Sequence, residues 1–118
     1  MTVRAARGAI RVNADTKDAI LEATERLVGE ILSRNELDAD RLVSMFFTST
    51  PDLRSAFPAE AARRMGLAAV PLLCASEIPV EGAMPSVVRV LVQFQSDRGL
   101  RDVEHVYLDG AEALRDDL

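Results

Sequence analysis

Only one cysteine, one histidine and one lysine occur in the 118 residues, tryptophan is absent, and the aromatics amount to four phenylalanines and one tyrosine. Each shortage excludes something. Cys74 alone closes no internal bridge, which argues against a disulfide-stapled secreted scaffold. A single histidine with a single cysteine offers no metal-ligand spacing. With 19 acidic residues against 14 basic, a net charge of −5 and no Lys/Arg block, the footprint of a nucleic-acid binder is missing. No apolar run approaches the roughly 20 residues that span a bilayer, and the opening MTVRAARGAIRV holds no apolar signal core. The expected location is the cytoplasm. The motifs GxSxG and GxGxxG and the P-loop are absent too, so serine-hydrolase, dinucleotide and nucleotide-phosphate chemistry lose their usual signatures.

What is present suffices for a core. Hydrophobic residues make up 48% of the chain, and a chain of this size buries roughly two-thirds of its extended surface on folding. One domain over residues 1–118 is expected. Thirteen of the 14 basic residues are arginine, Lys17 being the exception. A base composition that favours arginine codons accounts for most of them. A few stand where a rigid, carboxylate-matching fork would serve a purpose.

The patterning predicts a strand over 2–13 and a helix from Lys17 to about Arg34, capped by Asp15 or Thr16. In that helix Ile20, Ala23, Thr24, Leu27, Val28 and Ile31 recur on one face. Leu42–Ser49 reads as a strand buried on much of both faces. A short helix between Pro58 and Gly66 follows, then strands at Val70–Cys74, Val87–Gln95 and Val103–Leu108, and a short polar tail, AEALRDDL. The fold class is therefore α+β: a mixed five-stranded sheet with one long helix on one face and a short helical segment. One helix leaves the other sheet face bare, so a homo-oligomer with a sheet-based interface is expected.

Val88, Val90, Val92 and Phe94 form one apolar face of the clearest strand, which puts Arg89 on the other face between Val87 and Leu91. An arginine so flanked needs an anion, in a pocket, at an interface or in a structural salt bridge. Arg7 has only small neighbours in AARGA, compatible with an ordinary edge position or with room for a ligand. Glu77 stands just beyond a strand end, where sites collect, although taken singly it reads as a turn residue. After PLL, Cys74 reads as a buried, inert thiol. The surviving inventory is arginines, one carboxylate and Tyr107. It suits a small polyanion and contains no evident nucleophile.

Five segments, VRAARGAIRVNADT, TPDLRSAFPAEAAR, VPLLCASEIPV, VVRVLVQFQ and HVYLDGAEALRDDL, together resemble the monofunctional chorismate mutases of the AroH class, in one collinear order over almost the whole chain. The resemblance implies a homotrimer with active sites between subunits. It implies the Claisen rearrangement of chorismate to prephenate, with no cofactor, metal or covalent intermediate. Arg89 matches the arginine beside the breaking ether bond, and Glu77 the glutamate facing the ring hydroxyl, with Cys74 beside it. Arg7 and Tyr107 match residues that hold a substrate carboxylate. Phe57 and Arg63 would come from the neighbouring subunit, and Leu73, Ala75 and Ser76 would line the same wall. Leu114 and Arg115 match residues that close over the occupied site. Glu60 departs from the family's basic residue, which implies a weaker positive field at the mouth; His105 has no role beyond a structural one. The rival reading is a non-catalytic trimeric binder of small carboxylates with the same fold.

Overall fold

The computed structural model describes residues 1–117. Five strands, β1 (Thr2–Arg11), β2 (Leu42–Ser49), β3 (Leu72–Ser76), β4 (Val87–Ser96) and β5 (Val106–Leu108), form one mixed sheet in the order β3-β2-β4-β1-β5. The β4 strand is central and antiparallel to both β1 and β2, while the edge strands β3 and β5 run parallel to their neighbours. No helix among the described residues is long and apolar enough to cross a membrane.

The long helix, α1 (Lys17–Arg34), starts where the Thr16 hydroxyl accepts from the Ala19 amide at 3.1 Å. Asp15 serves elsewhere: its Oδ1 accepts from the amides of Arg54 and Ser55. The helix ends at buried Asn35, whose side chain donates to the Ile31 and Glu104 carbonyls and accepts from the Glu104 amide. Ile20, Leu21, Thr24, Leu27, Val28 and Ile31 are buried. Of these, Ile20, Leu27, Val28 and Ile31 share one core with Ala6, Ile10, Met45, Phe47, Val88, Val90, Val92, Phe94 and Val106 on the covered sheet face. Close contact at the centre of this layer depends on Gly8, where an added Cβ would lie 2.7 Å from Ile31 Cδ1 and 3.1 Å from the Val106 carbonyl oxygen. Gly8→Ala is expected to cost about 1–3 kcal/mol through overpacking, read as a lower denaturant midpoint at unchanged slope.

Several sequence boundaries shift for identifiable reasons. The first strand stops at Arg11 because the Val12 amide turns to the Ser86 carbonyl. The third begins at Leu72, after Pro71, which has no amide to donate, and runs to Ser76 beside β2. The fifth is confined to the three residues that pair with Gly8–Ile10. A second helix, α2 (Ala59–Arg64), fills the interval between Pro58 and Gly66. The segment expected to be a polar tail is instead a 3-10 helix, Ala111–Asp117. It buries Ala111 and Leu114, spaced by three residues, against Ala9 and Val87. Burial of β2 on both faces does not occur within the chain. Met45 and Phe47 are buried, whereas Val43 and Phe46 are exposed. With Val3 and Leu73, also exposed, Phe46 leaves apolar surface on the sheet face opposite α1.

Candidate functional site

On that open face, residues paired across successive strands form a row: Tyr107, Ala9, Arg89, Thr48 and Ala75. Strand alternation that sends Val88 and Val90 into the core sends Arg89 out here. Its neighbours on both sides are small, Ala9 on β1 and Thr48 on β2, which leaves the guanidinium room above the sheet. Arg89 Nε donates to Glu77 Oε2 at 3.1 Å, and Thr48 Oγ1 donates to the same oxygen at 2.8 Å. The two charged side chains are only 32% and 18% exposed, so this pair escapes much of the screening that weakens surface ion pairs. No other hydrogen bond from the Arg89 guanidinium is made among the described residues.

Arg7 pairs with Leu91 of β4 and stands where β5 comes alongside β1, just before their ladder starts at Gly8. Together with Phe46, Thr48, Arg89, Leu91 and Tyr107 it encloses a hollow of about 240 Å³. Among the described residues, Arg7 Nε and Tyr107 Oη are buried without a hydrogen-bond partner. An unpaired buried polar group costs about 1–3 kcal/mol, and both residues line the hollow. The Tyr107 ring packs against the cluster that holds Leu114 and Ala9. The 3-10 helix thus stands beside Tyr107, and its Arg115 is exposed.

His105 gains a definite function in this arrangement. Its Nδ1 accepts from the Arg7 backbone amide at 3.0 Å, one residue before the β1–β5 ladder begins. Burial pushes the imidazole below its ordinary value of 6.5; the charges of Arg7 and Arg115 add to the effect and Glu104 opposes it. Protonation would remove the acceptor. A lowered folded-state value means that the unfolded chain takes up the proton first. This part of the stability is therefore complete above pH 6.5 and lost as pH falls from there through the folded value. Denaturation curves at several pH values are expected to show this loss, reduced in His105→Asn, whose side-chain oxygen can accept the same amide.

The remaining candidates lie elsewhere on the chain. Phe57, Cys74, Ala75 and Ser76 line a second cleft, of about 410 Å³, with Lys17, Arg54 and Glu60. Cys74 was expected beside Glu77, but the strand alternation that exposes Glu77 to Arg89 turns Cys74 to the opposite face. There the half-buried thiol accepts from the Ala59 amide at 3.4 Å. Leu73 is exposed on the open face beside Phe46, and Arg63 is exposed on α2. One chain therefore gathers Arg7, Arg89, Glu77 and Tyr107, and separates them from Phe57, Arg63 and Cys74. Glu60 is compensated locally by Lys17 at 3.6 Å and Arg64 at 3.8 Å, so the negative charge at the cleft is smaller than the residue type suggests. Among the described residues no group of three or more His, Cys, Asp or Glu side chains is placed to hold a metal ion. Thr48 and the His105 contact were not legible beforehand, because each depends on cross-strand register.

Comparison with known proteins agrees with this architecture. The family model described as chorismate mutase type I matches residues 3–118. Chorismate mutase AroH of Thermus thermophilus is 49% identical over 117 residues, covering 98% of this chain and 96% of that protein. Chorismate mutase AroH of Bacillus subtilis (strain 168) is 37% identical over 119 residues, covering 100% and 94%. Among solved structures, a chorismate mutase from Clostridium thermocellum superposes with a TM-score of 0.92 at 42% identity, covering 93% of this chain and 98% of its own.

Proposed function

The chain belongs to the type I chorismate mutase family, and from that premise we propose that its open-face ion pair drives the Claisen rearrangement of chorismate to prephenate. The observation that carries this reading is the hollow itself. Among the described residues it is lined by Arg7 and Tyr107, whose Nε and Oη are buried donors without a partner, and by Arg89, whose guanidinium hydrogen-bonds only to Glu77. Chorismate is a dicarboxylate with an enolpyruvyl ether and a ring hydroxyl. Arg7 and Tyr107 bind a carboxylate and hold the enolpyruvyl arm over the ring, which lowers the barrier by restricting the reactants to a near-attack geometry.

As the ether C–O bond breaks ahead of C–C closure, negative charge gathers on the oxygen and positive charge on the ring. The free terminal nitrogens of Arg89 stabilise that oxygen, and do so more strongly in the transition state than in the ground state. Glu77 accepts from the ring hydroxyl and faces the positive end. The chemistry asks for no proton transfer, nucleophile or metal. A fixed, partly dehydrated charge pair is sufficient.

In this reading the active unit is a homotrimer of 118-residue domains. Apolar Phe46, Leu73 and Val3 are exposed on the open face, and a neighbour that covers them also brings the cleft with Phe57, Cys74, Ala75 and Ser76, and Arg63 on α2, toward the hollow. Leu114 and Arg115, on the 3-10 helix beside Tyr107, close over the occupied site in this reading. The enzyme works in the cytoplasm, where a reducing milieu suits the free Cys74 thiol. Purified protein with a chelator present is expected to convert chorismate to prephenate, followed by loss of chorismate absorbance and by NMR of the product. Sedimentation equilibrium is expected to give three times the chain mass. Saturable binding with no prephenate formed would favour the non-catalytic alternative.

A further inference from the structure

We propose that Thr48 is a positioning residue that keeps Arg89 available to the substrate by anchoring Glu77; the inference rests on the functional reading above. Thr48 lies directly across the β2–β4 ladder from Arg89 and on the same face. Its hydroxyl and Arg89 Nε donate to one carboxylate oxygen, Oε2, at 2.8 and 3.1 Å. The Glu77 backbone is tied to the same strand, its amide donating to the Ser49 carbonyl at 2.9 Å. Glu77 is thus held to β2 twice, once by its main chain and once by its carboxylate.

The geometry matters because an arginine and a carboxylate left to themselves favour a two-pronged fork. A fork through Nε and a terminal nitrogen would withdraw one of the donors that the reacting ether oxygen requires. By holding Oε2 between the two donors, Thr48 confines Glu77 to Nε and leaves Oε1 turned away from Arg89 Nε for a second partner. A donor withdrawn in this way is missed chiefly when charge develops, so its loss appears in kcat more than in KM.

The test compares Thr48→Val, which keeps the branched shape and removes the donor, with Thr48→Ser, which keeps the donor. Thr48→Val is expected to lower kcat about tenfold or more, as for loss of one hydrogen bond to a charged group, with KM nearly unchanged. Thr48→Ser is expected to stay close to wild type. In a Glu77→Gln background Thr48→Val should add little, because the anchored charge is already gone. Three results overturn the inference: an unchanged kcat in Thr48→Val, equal losses in the Val and Ser variants, or the same loss with and without Glu77. If Thr48→Val fails to fold, Thr48→Ala replaces it in the same comparison. A wild-type protein that leaves chorismate intact overturns the functional reading, and this inference with it. An active wild type with an indifferent Thr48 overturns this inference alone.

Discussion

Arg89→Ala is expected to lower kcat at least about a thousandfold, the upper end of what one preorganised donor supplies at a developing oxyanion. The reasons for taking the upper end are structural. The guanidinium carries a full charge, it is about two-thirds withdrawn from water, and Glu77 and Thr48 hold it in place before substrate arrives. Arg89→Lys is expected to recover little, roughly a tenth of the lost activity or less, since a point charge on a flexible stem cannot keep Nε on Glu77 and present terminal nitrogens as well. The control is folding. Because Arg89 stands on the open face rather than among Val88, Val90 and Val92, both variants should retain the wild-type circular dichroism spectrum and oligomeric state. Steady-state kinetics of folded Arg89→Ala at wild-type rates would remove the electrostatic mechanism.

The second large effect comes from the division of the site. Arg7, Arg89, Glu77 and Tyr107 share one face of the chain, while Phe57 and Cys74 line a separate cleft. If neighbouring subunits join these halves, two inactive variants should repair one another. Arg89→Ala spoils the first half, and a Phe57→Ala/Arg63→Ala double variant spoils the second. Refolded together in equal amounts, chains assort at random. A site is then intact when an undamaged first half meets an undamaged second half, a product of one half and one half, so about a quarter of wild-type activity should return. Each variant refolded alone should remain near its own low rate. Activity in the mixture no higher than the mean of the two parents would mean that each chain builds its site unaided.

The smaller effects follow the same division between core and site. Gly8→Ala tests the close approach of α1 to β1, and the acid sensitivity carried by His105 tests the join between β1 and β5. Neither touches the reacting atoms. Both bear on Arg7, which precedes Gly8 in β1, donates its amide to His105 and lines the hollow.

Much of this was legible in the linear order of residues, and the reason is periodicity. Helical spacing from Ile20 to Ile31 and alternation from Val87 to Gln95 are written locally, so α1, β4 and the outward face of Arg89 could be assigned before any contact was known. The spacing of Ala111 and Leu114 was equally local, but acidic neighbours disguised it as a polar tail. Strand ends were displaced wherever a partner strand or a proline, not the residue's own preference, decided where pairing stopped, as at Pro71 and Val12.

Residue types and their spacing by themselves determined the α+β class, the bare sheet face and a pocket chemistry of arginines with one carboxylate, because burial pattern and charge are properties of neighbours along the chain. Only the tertiary structure decided which groups meet. Cross-strand register brought Thr48 opposite Arg89 and His105 onto the Arg7 amide, and it turned Cys74 away from Glu77. Register is settled by pairing between segments distant in sequence, where a slip of a single residue would send every side chain to the other face.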